Sequence, residues 1–361
     1  MLPEMFFISL IALIVMMKIG TISVRGLFGR YDHAIDVFKE GITYIHSPNG
    51  FGKSTVLRMV YLLLKGSTDE LKKIPFDRMD VSFDNGTNII AEKSENELFV
   101  QIQRNELETE LTREDLTSVM GVTYIPSDRS YVKKIDGRVV PAAESYANEL
   151  SDKLRYTKEH SELIVPEYEN DLGDDELVHR ARDLNAKLTF IRDAGFDIDI
   201  PAGLRFPPTR YDLSGSRKEY TDLIYGVSEF VERDYQLSES VIVFKDILNS
   251  FFFDKDIQID EKNNIVLMME SGVTLPLNDL SAGEKQILII FYRILFQTVP
   301  GSLVMIDEPE ISLHVAWQQR IGTALRDVAR LRDLQIIIST HSPQVIHHDW
   351  DLTNELRAGS A

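Results

Sequence analysis

Asp307 and Glu308 stand side by side behind four apolar residues in the stretch Leu303–Pro309 (LVMIDEP). An apolar run that ends in two acids reads as a buried parallel strand delivering both carboxylates at its C-terminal end. At such an end Asp307 can hold a phosphate-bound Mg²⁺, and Glu308 is the candidate general base that orients an attacking water. Alone, the pair could instead cap a following helix. Three further stretches complement it: Ser47–Thr55 (SPNGFGKST), Leu280–Gln286 (LSAGEKQ) and Ser339–Pro343 (STHSP). Together the four describe a nucleotide-hydrolysis site.

Ser47–Thr55 approximates the phosphate-loop pattern G-x-x-x-x-G-K-S/T, with Ser47 where the first glycine usually sits. Gly50 and Gly52 let the backbone curl so that successive N–H groups face the β- and γ-phosphates of ATP. Asn49 and Thr55 belong to the same nucleotide-binding loop. Lys53 supplies a point charge to the phosphate oxygens, and the Ser54 hydroxyl completes Mg²⁺ coordination with Asp307. Ser281 and Gly283 open a helix, whose N-terminus offers free N–H groups and a positive dipole to an anion. His341 follows the strand Ile336–Ser339, 34 residues after Asp307, which fits one strand–helix–strand return. A lone histidine there is more often structural, and His347-His348 read as surface residues.

LSAGEKQ resembles the signature motif of ABC-type ATPases, found in transporters and in SMC, RecF-like and OLD-family proteins. That resemblance implies that Ser281 and Gly283 contact the γ-phosphate of a nucleotide held by a second protomer, so the active unit is a head-to-tail homodimer or a higher homo-oligomer. It also implies that His341 is a switch histidine sensing the γ-phosphate. IDEPEISLH and ISTHSPQVI look like the OLD-like, AAA-annotated ATPases of bacterial defence modules, and the overall likeness points toward the ATPase subunits of PARIS-type anti-phage systems. Tyr124–Arg129 (YIPSDR) resembles the segment that stands in for the glutamine loop in those proteins. The resemblance covers roughly residues 18–130 and 255–352.

The elements that must position these motifs can be read from periodicity. Lys18–Val24, Ala34–Phe38 and Ile42–His46 alternate as strands, and Val56–Leu64 is an apolar helix after the phosphate loop. Met79–Gln103 reads as antiparallel segments with a turn at Asn85-Gly86, and Val122–Ile125 as another strand. Val178, Ala181, Leu184, Leu188 and Ile191 mark one amphipathic helix; Tyr220, Leu223, Ile224, Val227, Phe230 and Val231 mark a second. Pro201, Gly203, Pro207, Pro208 and Gly215 place a loop between them. No long heptad array is visible, so a compact helical lobe is expected rather than a coiled-coil arm. Asp174-Asp175-Glu176 reads as a solvated helix start, and Ile257–Asp260 with Ile265–Met269 as a hairpin.

The expected fold is therefore α/β: a P-loop NTPase of ABC-ATPase type with a mixed central sheet, an antiparallel β patch and an inserted helical lobe. Residues 18–130 and 255–361 would form the ATPase head and 131–254 the insert. Residues 1–17 are an apolar extension. Phe6–Met17 is short of the roughly 20 residues that span a bilayer; it reads either as an upstream start on a protein beginning at Met16 or Met17, or as an apolar helix docking on a partner.

The 361 residues are 43% hydrophobic and 27% charged, without cysteine, which suits a reducing, cytoplasmic setting and excludes thiolate metal sites. A net charge of −18 opposes nucleic acid held by general electrostatics, although a local basic groove is compatible with it. Few residues follow His341, so neither a Toprim nuclease domain nor a membrane-spanning half is expected. The preferred function is an ATPase that dimerises around ATP and controls a separately encoded effector in anti-phage defence. The alternatives are a DNA-repair or chromosome-maintenance ATPase of the RecF/SMC type and a transporter subunit.

Overall fold

The computed structural model describes residues 17–357 except 39–40, 96, 105–106, 161 and 169–171. Both readings of the extension 1–17 concern residues up to Met16, outside the described ones. Two compact units emerge, Met1–Ser130 with Ser281–Ala361, and Tyr131–Leu280.

The first unit holds two sheets. Strands β1 (Ile19–Leu27), β2 (Tyr31–Asp36), β4 (Arg78–Phe83), β5 (Thr87–Ser94), β6 (Glu97–Arg104) and β7 (Leu107–Glu110) pair antiparallel in the order β2-β1-β4-β5-β6-β7. Asn85-Gly86 forms the expected turn, with Gly86 at φ 80° and the Asn85 side chain accepting from the Thr87 N–H at 3.0 Å. β2 begins three residues before the expected Ala34, because His33 lies on its buried face with Tyr31 and Ile35. A polar residue in that row breaks the apolar alternation that a sequence reading follows.

The second sheet positions the motifs. Strands β3 (Gly41–His46), β8 (Val122–Ile125), β14 (Leu303–Asp307), β15 (Gln335–Thr340) and β16 (Thr353–Glu355) run in the order β16-β3-β15-β14-β8. All four pairings are parallel, where a mixed sheet was expected. The antiparallel strands are instead gathered in the separate six-stranded sheet. Every residue of β14 and β15 is buried, as the unbroken apolar runs required. Asp307 pairs with Ser339, and Ser339 with Ile45, so the phosphate loop, the acidic pair and the histidine all leave the sheet at one end. Helices α1 (Lys53–Leu64), α5 (Ala282–Phe296) and α6 (Val315–Leu331) belong to this unit, with α1 packed against β14 and β15 and α6 against β3 and β15.

The second unit contains the hairpin β9 (Tyr131–Lys133)–β10 (Val139–Pro141), helices α2 (Ala142–Glu159), α3 (Asp174–Asp193) and α4 (Arg210–Phe251), and the small sheet β11 (Lys255–Ile259)–β12 (Ile265–Met269)–β13 (Thr274–Leu275). The residues that marked the two amphipathic helices are all buried. Asp174-Asp175-Glu176 forms the first turn of α3. α4 is longer than the sequence suggested, 42 residues interrupted by non-helical backbone at Ser216. Gly215, expected in a loop, lies inside it, because Thr209 and Asp212 form a capping box that starts the helix earlier.

The far boundary also moves. Residues 255–280, assigned from sequence to the ATPase head, group with the second unit. Their strands pair only with one another among the described residues, and they bond to α2: the Ile265 N–H donates to Ser151 Oγ at 3.1 Å, and Arg155 to Asn264 Oδ1 at 2.8 Å.

Candidate functional site

At the common end of the parallel sheet lies a cavity of ≈ 390 Å³ lined by Phe28, Asn49, Gly50, Gly52–Thr55, Glu308 and His341. The loop after β3 forms one wall. Gly50 and Gly52 adopt φ 88° and 85°, and Gly52 caps α1. A Cβ on Gly52 would also meet the Leu27 side chain at 2.7 Å, so two separate reasons require glycine there. Ser47 is not among the residues with positive φ, which explains why a serine can replace the customary first glycine.

Lys53 is buried to 5% exposure, with Nζ donating to the carbonyl oxygens of Ser47 (3.0 Å) and Pro48 (3.4 Å). Burial lowers its pKa, opposed by the nearby carboxylates of Glu308, Asp307 and Glu310. Ser54 Oγ donates to Asp307 Oδ1 at 2.8 Å, and Ser339 Oγ donates to the same oxygen. One hydroxyl and one carboxylate in contact form an oxygen donor set that fits a hard cation such as Mg²⁺, whose remaining ligands come from phosphate and water. Among the described residues no group of three or more acidic or histidine side chains offers a complete cage.

His341 sits between the two charged partners. Its Nδ1 is 3.4 Å from Lys53 Nζ, and its Nε2 is 3.3 Å from Glu308 Oε1. A ring accepting at Nδ1 and donating from Nε2 satisfies both neighbours while neutral. The three stretches carrying Lys53, Asp307 with Glu308, and His341 are thus brought together, as the sequence analysis expected.

Four further residues at the site were not assigned these roles from sequence. Arg129, buried to 3% exposure, donates to the carbonyl oxygens of Pro126 (2.9 Å), Asp307 (2.9 Å) and Glu308 (3.0 Å), and to the Gln286 side chain on α5. It therefore clamps the backbone of the acidic pair, where Glu308 takes the unfavourable φ of 47°. Burial pulls Arg129 down to about 10, still charged at neutral pH, with Asp307, Glu310 and Glu308 pulling the other way. Glu310 Oε1 accepts from Thr340 Oγ1 (2.7 Å), the His341 N–H (2.7 Å) and the Ser342 N–H (3.2 Å), fixing the turn that carries the histidine. His33 Nε2 donates to the Phe51 carbonyl at 2.8 Å, propping the middle of the phosphate loop; burial holds its pKa below the usual imidazole range. Phe28, half exposed on the β1–β2 turn, adds an aromatic ring to the cavity lining.

Ser281 and Gly283 do not line that cavity. Ser281 is the exposed N-cap of α5, its hydroxyl accepting from the Glu284 N–H at 3.3 Å while Glu284 bonds back to the Ser281 N–H. Gly283 is buried, and a Cβ there would meet the Ser312 carbonyl oxygen at 2.7 Å. Its lack of a side chain serves packing within this chain. His347 and His348 are exposed, as expected.

A family model described as "AAA domain, putative AbiEii toxin, Type IV TA system" matches residues 48–347. Among characterised sequences, a "Probable iron chelatin transport ATP-binding protein" of Helicobacter pylori is 31% identical over 101 residues, 27% of this chain and 38% of that protein. "Retron Ec83 probable ATPase" of Escherichia coli is 34% identical over 93 residues, 23% of this chain and 17% of that protein. Both matches thus span well under half of the relative's length. Among solved structures, the Smc head domain of Pyrococcus furiosus, bound to the C-terminal domain of ScpA, is 12% identical with a TM-score of 0.47, covering 92% of this chain and 91% of that one. The SMC head domain from Thermotoga maritima gives 13% and 0.45, with coverage of 94% and 93%.

Proposed function

This chain belongs to the family described as "AAA domain, putative AbiEii toxin, Type IV TA system", whose fold is that of P-loop ATPases, and from that premise we propose that it hydrolyses ATP with Mg²⁺ and so controls a separately encoded effector. The observation that carries the reading is the convergence of Lys53, Ser54, Asp307, Glu308 and His341 on one cavity.

Each residue then has a role that its surroundings support. Loop N–H groups and Lys53 neutralise the β- and γ-phosphates, the lysine exchanging its carbonyl partners for phosphate oxygens. Ser54 and Asp307 supply the protein ligands for the cation, which when bound offsets charge on the phosphate oxygens. Glu308 orients and polarises the water, and His341 holds the Glu308 carboxylate while reaching toward the γ-phosphate. The exposed Ser281 turn, with first-turn N–H groups that lack intrahelical partners, reaches the nucleotide of a second copy. Two copies would then close head to tail over two ATP. Kinship to a retron's probable ATPase and the toxin–antitoxin description of the family support a role in bacterial defence, with an effector as the regulated partner.

The test is Glu308→Gln. The variant should bind ATP as well as the parent, lose turnover, and accumulate as an ATP-dependent pair in light scattering. Unchanged turnover would remove Glu308 from the role of base. Hydrolysis that rises only when DNA is added would favour chromosome maintenance instead.

A further inference from the structure

The second unit contains a cavity of ≈ 680 Å³ that the nucleotide chemistry does not use. It is lined by residues around the backbone break at Ser216 of α4 (φ −147°, ψ 50°), by Leu163 and Val165, and by the Pro201–Leu204 turn. A break in a helical ladder leaves room that a straight helix would fill. Three of the lining residues, Asp212, Glu219 and Asp222, are acids, and none is basic.

The acids are not equally committed. Asp212 caps α4 through Thr209 and pairs with Arg205. Asp222 accepts from Tyr168 Oη at 2.6 Å, which leaves it further acceptor capacity. Glu219 is exposed and has no ion-pair partner among the described residues. Most of the remaining wall is apolar, and much of it is exposed: lining Tyr211 is 86% exposed and Val165 47%, with Ile164 beside it at 59%. The unit as a whole carries net charge of the same sign. Residues 131–280 carry 18 basic and 30 acidic side chains, against 21 and 27 in the rest of the chain.

We propose that this cavity receives a segment of a partner protein carrying a lysine or arginine beside an apolar side chain. The cation would meet Glu219 and the spare lone pairs of Asp222, while its hydrocarbon stem and apolar neighbour cover Leu204, Tyr211 and Leu223. Exposed Tyr211, Ile164 and Val165 offer more surface than a small cation would cover, which favours a polypeptide. The acidic excess steers a basic segment in and repels nucleic acid. The proposal extends the reading of a controlled effector, yet binding at this place needs no nucleotide.

Fluorescence anisotropy on the full chain tests it with three labelled peptides: one alternating arginine and leucine, one with glutamate for arginine, and one with serine for leucine. Only the first should bind. Glu219→Arg should weaken it about tenfold or more, roughly the loss of one desolvated charge pair. Glu261→Arg makes the same charge change on an exposed acid elsewhere in this unit and should leave binding unaltered. Tyr211→Ser should weaken binding, and Lys53→Ala should not, so a failure of the ATP reading stays separate. Equal weakening by Glu219→Arg and Glu261→Arg, equal binding of the serine peptide, or no binding to the parent chain would each overturn the proposal.

Discussion

The candidate site of the first unit and the surface of the second use charge in opposite ways. In the first, cations are buried and tied to several partners: Arg129 reads three backbone carbonyls and a glutamine, and Lys53 lies among loop carbonyls and three carboxylates. In the second, pairs such as Arg210–Asp175 and His179–Asp183 lie at the surface, with side chains 66–79% exposed. Exposed pairs of that kind contribute at most about 1 kcal/mol each. Buried, preorganised charge holds groups where reaction charge develops; an unpaired surface excess attracts an opposite partner. If both proposals hold, the contrast separates a part that does chemistry from a part that meets a partner.

Arg129→Ala is the hardest blow to that contrast. It strips one buried and two part-buried carbonyls of their donor, at about 1–3 kcal/mol for a fully buried group, so the first unit should lose at least about 3 kcal/mol and melt earlier. Thermal unfolding followed separately through probes in each unit should show the second unit unchanged. A joint loss would mean that the clamp serves the whole chain. Lys53→Ala comes next. Loss of charge-assisted contacts worth about 1.5–3 kcal/mol each should weaken ATP binding at least a hundredfold in calorimetry, with the helical unit's spectrum preserved. Glu310→Ala is gentler: the histidine turn loses its acceptor, and turnover should fall about tenfold, within the range that misplacement of a reacting group costs, while the KM for ATP holds. Glu310→Gln, which keeps one carbonyl oxygen, should restore most of it. A rise in KM alone would place Glu310 in binding.

What the sequence made legible follows from the same contrast. Phosphate loop, acidic strand end and the histidine turn are contiguous strings, because each needs several neighbouring residues at one strand end. The parallel order β3-β15-β14 then makes them meet. Supporting residues left weaker traces. Arg129 belongs to Tyr124–Arg129, but arginine is so seldom buried that its clamp could not be read from its type. Glu310 was visible as a third acid after Asp307 and Glu308, without any sign that it faces the next strand's turn. His33 would have followed from extending the Tyr31–Ile35 alternation through a polar letter. In the helical unit the misreadings were at Gly215 and at residue 255, where glycine and a hairpin looked like boundaries and local capping and strand pairing decided otherwise.

The smallest effect distinguishes the units by pH. Asp212 is held down to about 2, first by the Thr209 hydroxyl and N–H, then by Arg205. An unfolded aspartate titrates near ~3.9, so the stabilising capping contribution is fully present above about pH 4 and is lost as pH falls through about 2. Lys53 answers at the other end. Burial lowers its folded value, so its protonated form disfavours the fold, and that cost is relieved as pH rises through the lowered value and is gone above the ordinary lysine range. Acid should therefore loosen the start of α4, and far-ultraviolet circular dichroism on the full chain should show a small helical loss between those values. Asp212→Asn, which keeps an acceptor oxygen but cannot titrate, should flatten that step while leaving the alkaline behaviour of the first unit unaltered. An undiminished acid step in the variant would assign it to other carboxylates and erase this difference between the units.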